Sequence, residues 1–245
     1  MNNLSAIVVT YNEEKNLKDC LESLCFADEV IVVDSDSSDN TARIAEDMGA
    51  VVLQTDIQYP EEKKNIGISR ASFPWIFVLD ADERVTRELR DEIKKELDNP
   101  DCDGYYIYRK NFFLGKEIKH CGWNADRVMR LFKKDKGVYP DKRVHGKLQL
   151  DGKEGYLNSK IEHHSYCSVN DYFVKINRYT LWSAKDLKGK KVTAVKLVLN
   201  PVFRFIRMYI LRLGFLDGVY GLILCIMASF SVFIKYLRIY LNTEN

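Results

Sequence analysis

Two aspartates, two residues apart, close the run W-I-F-V-L-D-A-D-E at 75–83. The five apolar residues at 75–79, with Pro74 ahead and acidic residues behind, predict a strand buried on both faces that ends at a polar edge. Asp80 and Asp82 then stand at the carboxyl end of a central strand, where open α/β sheets bind ligands, and their i, i+2 spacing turns both side chains to one side. Carboxylates so placed can share a hard divalent cation and leave its other positions to phosphate oxygens. Asp34/Asp36 and Asp101/Asp103 repeat the spacing, so the spacing alone says little. The strand before Asp80 and the helix start after Asp82 set that pair apart, whereas Asp101 and Asp103 lie in the turn-rich N-P-D-C-D-G. The plain alternative for Asp80 and Asp82 is a solvated turn.

Other chemistry-bearing residues fall at the ends of neighbouring strands. Residues 4–9 read as strand one, followed by T-Y-N-E-E at 10–14, in which Asn12 can N-cap a helix with Glu13 and Glu14 in its first turn. Residues 29–33 read as strand two and end at Asp34, placed to accept hydrogen bonds from a base or ribose, with the 10–14 loop beside it. In the bland reading Asn12 and Asp34 are caps and S-D-S-S-D-N-T is an ordinary turn. A helix at 42–48 stopped by Gly49, a strand at 50–53 and a helix opened by Pro60 and running to about Ala71 return the chain to the central strand. This alternation predicts a parallel sheet covered on both faces. No G-x-G-x-x-G follows strand one, so a nucleotide would be held by side chains and metal.

After Thr86, the cap of a charged helix to about Asn99, the pattern changes. Y-Y-I-Y-R, R-V-M-R-L-F, K-L-Q-L and Y-L-N-S-K-I, with D-G-K-E-G between the last two, read as hairpins and edge strands. Ser168 can cap a helix with an apolar stripe of Tyr172, Phe173, Ile176 and Tyr179, a stripe that reads as core. Residues 185–245 carry ten Lys/Arg against three Asp/Glu, a net +7 in a chain whose total is +2. An acidic body with a basic, apolar tail argues against nucleic acid and for an anionic membrane surface. Residues 218–234 are uncharged and mostly apolar, short of the ~20 residues of a full span, and 202–213 mix Phe, Ile and Tyr with arginines; two interfacial or re-entrant helices fit, and a spanning helix and a soluble dimerisation hairpin are the alternatives. The six cysteines form no CxxC pair and no zinc-like spacing with the four histidines, which predicts thiols. The start of the sequence lacks the pattern of a signal peptide, so the expected location is cytoplasmic.

Taken together, V-T-Y-N-E-E, V-V-D-S-D-S-S-D-N-T, K-K-N-I-G-I-S-R-A and F-V-L-D-A-D-E resemble the inverting family 2 glycosyltransferases of GT-A fold over residues 4 to about 180. C-G-W, R-L-F-K, V-Y-P-D-K-R-V-H, N-R-Y-T and the basic tail are similar to the lipopolysaccharide inner-core β-1,4-glucosyltransferases. The resemblance implies an α/β GT-A fold, a mixed sheet with helices on both faces, at 1–184, and a helical membrane-associated tail at 185–245. It implies transfer of a sugar, glucose in that subfamily, from a UDP-sugar with inversion onto a heptose of the lipopolysaccharide inner core. The expected place is the cytoplasmic face of the inner membrane, held peripherally. By the resemblance Thr10, Tyr11, Asn12, Glu14 and Asp34 line the uridine with Asp36 nearby, Lys64 and Asn65 face the donor, Asp80 holds ribose or donor, and Asp82 with His145 holds Mg²⁺ or Mn²⁺. Asp126 stands where the family places its base, although Ala125 replaces the family's Glu and Gly146 replaces the Glu that often follows His145. His163 and His164, with Asn177, Arg178 and Tyr179, are candidates to meet the acceptor. Transfer to a polyprenyl phosphate or another lipid-linked glycan, and a catalytically inactive nucleotide-sugar-binding membrane subunit, are the alternatives.

Overall fold

A computed structural model describes residues 2–140, 147–187 and 192–241. Packing divides the chain into two compact units, Met1–Arg109 with Arg127–His163, and Lys110–Asp126 with His164–Asn245.

In the first unit the chain runs β1 (Leu4–Thr10), α1 (Leu17–Ser23), β2 (Glu29–Asp34), α2 (Thr41–Asp47), β3 (Val51–Gln54), α3 (Pro60–Arg70) and β4 (Trp75–Asp80). β5 (Glu83–Val85) and α4 (Arg87–Asp98) follow, then β6 (Gly104–Phe113), whose last residues belong to the second unit. β7 (Lys116–Glu117), in the second unit, pairs with that end of β6. β8 (Arg127–Lys133) returns to the first unit, with the small ladder of β9 (Gly137–Val138) and β10 (Gln149–Leu150), and β11 (Glu154–Tyr166) leads out again. The strand order is β3-β2-β1-β4-β8-β6-β11-β5. β2, β1 and β4 are parallel neighbours, and β8 joins β4 antiparallel. The mixed sheet with helices on both faces expected from the sequence is what forms.

Every residue of β1 and the first five of β4 are buried, as strands covered on both faces require. Side chains alternate between two cores: Leu4, Ala6 and Val8 pack with α1 and α4, Ile7 and Val9 with Ile68 of α3. Pro60 opens α3 with Glu61 and Glu62 in its first turn, and Thr86 caps α4 by accepting from Leu89 N at 3.2 Å. Gly67 lets α3 approach the sheet, because a Cβ there would run into Ile7 Cγ2.

One local expectation fails. Asn12 does not cap α1, whose N-cap is Asn16; Asn12 has φ 54° and its Oδ1 accepts from Ser38 N at 2.8 Å. An asparagine tolerates the left-handed region and can bond a neighbouring loop, the same properties that make it a cap.

In the second unit Phe113, Ile118, Cys121, Tyr172, Ile176, Met208, Leu224 and Cys225 form the core. α5 (Val169–Asp186) begins at Ser168, whose Oγ accepts from Asp171 N at 3.0 Å, as expected. Of its stripe, Tyr172 and Ile176 are buried while Phe173 and Tyr179 are exposed. α6 (Ala194–Ile206) is capped by Thr193 and continues into a π-helical turn at Arg207–Leu211 and a 3₁₀ turn at Gly214–Asp217. α7 (Gly218–Tyr240) is 23 residues long, about 35 Å at 1.5 Å per residue. Lys235, which ends the uncharged run, and Arg238 beyond it do not end the helix, and Gly214–Tyr240 is long and apolar enough to cross a membrane. The six cysteines are thiols.

The close approach at Gly67 carries a prediction. Gly67→Ala should lower stability by about 1–3 kcal/mol through overpacking, and Ile7→Ala together with it should cost less than the sum of the single changes. Thermal unfolding of the three variants measures both.

Candidate active site

The order β2-β1-β4 reverses the direction of strand addition at β1, so the edge between the carboxyl ends of β1 and β4 is the topological switch point where such sheets bind ligands. Register brings the expected residues there: Thr10 pairs with Asp34, and Val9 with Asp80. The parallel ladders thus end together.

Asp34 is fully buried, and its carboxylate accepts from Thr10 Oγ1 at 2.7 Å, Ser37 Oγ at 2.5 Å and Ser37 N at 2.9 Å. What it holds in this structure is the loop after β2 and not an exposed ligand surface. Asn12 N donates to Ser37 Oγ, and Glu14 Oε2 accepts from Asn40 N at 3.2 Å and Asn40 Nδ2 at 3.1 Å. The loops carrying Tyr11, Asn12 and Glu14 and carrying Asp36 are therefore tied together. Asp36 is exposed with φ 50°. These ties form the wall that the sequence assigns to a nucleotide, built from side chains.

At the end of β4 five charged side chains meet. Arg130 Nη2 bonds Asp80 Oδ2 and lies 2.6 Å from Glu83 Oε2; Lys64 Nζ is 3.2 Å from Asp80 Oδ1, and Arg109 Nη1 is 3.2 Å from Glu83 Oε1. Glu83 Oε2 also accepts from Asp80 N at 3.0 Å. Glu83 is wholly buried and Arg130 only 3 % exposed, so each needs the others. Burial pushes the Asp80 carboxyl upward, but Arg130 and then Lys64 outweigh it and hold it well below the usual carboxylate range. Burial opposes charge on Lys64 as well, and Asp80 raises it above its ordinary value. Three cations against two carboxylates leave a positive balance at a strand edge, suited to a phosphate-bearing ligand.

Two residues read as donor contacts differ in kind. Lys64 belongs to this cluster. Asn65 is turned to Tyr139, donating to its carbonyl at 2.8 Å and accepting from its N–H at 3.1 Å, so its amide closes α3 onto the chain. A carboxamide matches one backbone donor and acceptor, which fixes this pairing.

Asp82 lies in the turn between β4 and β5, held by Arg84 Nη1 on the Ala81 carbonyl at 2.9 Å. Its Oδ1 is 3.5 Å from His163 Nε2, on the strand β11 that pairs with β5. Among the described residues no group of three or more His, Cys, Asp and Glu could hold a metal. The Asp82 carboxylate nevertheless fits Mg²⁺ or Mn²⁺ as one oxygen ligand, since such ions take one or two protein carboxylates and fill their remaining positions with phosphate and water; the imidazole beside it suits Mn²⁺ better than Mg²⁺. His145 lies outside the described residues. Asp126 belongs to the second unit, where its Oδ2 accepts from Asn111 Nδ2 at 3.3 Å.

Arg130, Arg109 and Glu83 escaped the sequence reading. Arg130 had left a signal, a charge in β8 among Met129, Leu131 and Phe132, all buried; an arginine there needs a buried carboxylate.

A sheet with this switch point and wall is that of a nucleotide-sugar transferase of GT-A type. The crystal structure of residues 1–349 of Staphylococcus aureus TarS in complex with UDP-GlcNAc superimposes with a TM-score of 0.54 at 16% identity, covering 98% of this chain and 91% of that one. The family model for glycosyl transferase family 2 matches residues 5–149, and the chain belongs to that family. An uncharacterised glycosyltransferase of Rickettsia conorii is 29% identical, over 96% of this chain and 89% of its own length. The lipopolysaccharide core biosynthesis glycosyltransferase LpsC of Rhizobium meliloti is 27% identical, over 97% and 92%.

Removing Arg130 tests the cluster. Arg130→Met should destabilise by about 3 kcal/mol, the low end for a broken buried pair because Asp80 is 29% exposed. Asp80's share is complete above the unfolded carboxyl value near 4 and is lost as pH falls through its depressed folded value. The gap in stability between wild type and variant should therefore narrow below about pH 4, which urea unfolding across pH measures.

Proposed function

We propose that this glycosyltransferase moves glucose from UDP-glucose, with inversion, onto a heptose of the lipopolysaccharide inner core. The observation that carries the donor half is the shared edge at which Thr10, Asp34 and Asp80 end three parallel strands, with the cationic cluster beside Asp80. The similarity to LpsC supports the acceptor half.

In this reading Thr10, Tyr11, Asn12, Glu14, Asp34 and Asp36 shape the uridine pocket, several of them by holding one another, and Asp80 takes the ribose or donor. Lys64 and Arg130 keep Asp80 ionised and add positive charge toward the diphosphate. Asp82 and His163 are the groups that would hold Mg²⁺ or Mn²⁺, in place of or together with His145. A bound cation there would offset charge on the departing diphosphate. Asp126 takes the proton from the acceptor hydroxyl as its oxygen bonds to the anomeric carbon and the bond from that carbon to the diphosphate breaks, releasing UDP; inversion needs one such carboxylate. Residues 1–184 form the transferase and 185–245 the membrane tail, which keeps the enzyme at the cytoplasmic face of the inner membrane, where a lipid-linked acceptor lies. Val198, Leu199, Phe203, Leu211, Leu216 and Val219 are all more than half exposed, and arginines 204, 207 and 212 stand among them. Such a face suits an anionic bilayer surface.

The test is UDP release from a panel of UDP-sugars with a heptose-bearing truncated lipopolysaccharide, with metal and with chelator. Acceptor-stimulated, chelator-sensitive release from UDP-glucose is expected. Asp126→Asn should lower kcat by about 100-fold or more with UDP binding intact. Binding of UDP without turnover from any donor would favour the inactive subunit, and release stimulated by a polyprenyl phosphate would move the acceptor. Separately, Asp82→Asn and His163→Ala should each weaken Mn²⁺ binding about tenfold or more, read by the electron paramagnetic resonance of free Mn²⁺.

A further inference from the structure

Asp217 occupies the N-cap position of α7 but makes no side-chain cap bond to that helix. Its nearly buried carboxylate turns away and accepts from the backbone N–H of Lys119 at 3.1 Å on Oδ1 and of His120 at 2.9 Å on Oδ2, with His120 Nδ1 also 3.1 Å from Oδ1. An aspartate at a helix start ordinarily satisfies its own helix. Here it binds a turn almost a hundred residues earlier in the chain.

That turn is fastened at every step. Cys121, with φ 57°, donates its N–H to the Arg212 carbonyl at 3.0 Å, and its Sγ lies 3.7 Å from Cys225 Sγ of α7. The Arg212 guanidinium packs over Gly122, where a Cβ would collide with it. Gly214 leaves room for the two thiols: a Cβ there would stand 2.8 Å from Cys121 Sγ and 3.1 Å from Cys225 Sγ. From His120 the bonding continues to Asp126. Trp123 N donates to the His120 carbonyl at 2.9 Å, the Trp123 carbonyl accepts from Asp126 N at 3.3 Å and Asn111 Nδ2 at 3.2 Å, and Asn111 Nδ2 also meets Asp126 Oδ2 at 3.3 Å. Asn111 is itself buried on β6. A hydrogen-bonded path thus runs from the foot of the apolar helix to one carboxylate, all within the second unit.

We propose that Asp217 is a positioning residue for Asp126, holding the 119–126 turn so that the seating of α7 sets where that carboxylate stands. The proposal rests on Asp126 being the base. It also assigns a task to the foot of the apolar tail beyond attachment: the element that meets the lipid surface fixes the group that deprotonates the acceptor.

The experiment compares wild type with Asp217→Ala and Asp217→Asn in the full chain, using two independent readouts. The first is the clasp itself. Diamide takes two hydrogens from a pair of adjacent thiols, leaving a disulfide and the reduced hydrazide, and peptide mass spectrometry follows the Cys121–Cys225 link. Asp217 also accepts from Cys121 Sγ at 3.8 Å, and its removal makes that thiol more acidic and so faster to react. Link rates are therefore compared per thiolate, from their pH dependence, and on that basis wild type should form the link readily and Asp217→Ala at least fivefold more slowly. The second is kinetic. Asp217→Ala should lower kcat about tenfold or more while the KM for UDP-sugar and the affinity for UDP stay within twofold, and Asp217→Asn, which keeps one acceptor oxygen, should fall between. If the alanine variant does not fold, the asparagine variant carries both readouts, with a smaller slowing expected in each.

An unchanged link rate would overturn the clasp. A slowed link with kcat unchanged, or a loss expressed in donor KM, would overturn the positioning role. These failures differ from failure of the underlying reading, in which Asp126→Asn retains turnover or wild type has none; the role given to Asp217 then falls with it.

Discussion

The buried arginine at 130 constrains the site more than any other group. Charge taken out of solvent is destabilising unless counter-charges are fixed around it, and Asp80 and Glu83 are fixed by the end of β4 and the start of β5. Glu83 in turn receives the Asp80 N–H and Arg109, and Asp80 receives Lys64 from α3. Five elements, α3, β4, β5, β6 and β8, therefore send one charged group each to a single place. A hydrophobic core of the same volume would tolerate sliding between those elements. A set of directional, charge-assisted bonds does not. The turn carrying Asp82 springs from this anchored point, so its carboxylate inherits the fixity of its neighbours.

The second unit solves a different problem. Its core is aromatic, with Phe113 edge-on to Trp123, Tyr166 and Tyr172, and its outer helices leave large apolar side chains in the open. Edge-to-face rings lock orientation as well as burying area, so a small core can hold a shape. That matters where three residues, Leu114, Cys121 and Leu213, sit in left-handed backbone that disfavours side chains. Strain of this kind persists only when neighbours over-determine it, and the aspartate, the guanidinium and the paired thiols around the 119–123 turn supply that determination.

Much of the fold was legible because it is written locally. The apolar run before Asp80, Pro60 at a helix start, and Thr86 and Ser168 as caps each act within a few residues, and each appears where the sequence puts it. The candidate site was legible as far as strand ends could take it: Thr10, Asp34 and Asp80 follow from knowing which strands are central. What lay beyond reach depends on distant chain. Arg130 becomes a partner of Asp80 only because β8 adds antiparallel beside β4. Asn65 looks like a free amide until Tyr139 arrives. Asn12 was misjudged locally, since loop-bridging and capping draw on the same side chain. The length of α7 was hidden by Lys235 and Arg238, whose long stems let a helix continue past an apolar run without leaving it.

The shared register of β1, β2 and β4 has a consequence for how such a chain can vary. In these strands side chains alternate between two cores, so inserting or deleting one residue would exchange the faces of everything beyond it and carry Thr10, Asp34 or Asp80 off the common edge. Substitutions can be absorbed there, but changes of length cannot. Lineages descended from this sheet should therefore differ by insertions and deletions in the connections and the antiparallel half, while the three parallel strands keep a constant count of residues. The strands act as a ruler, and diversity collects where nothing is being measured.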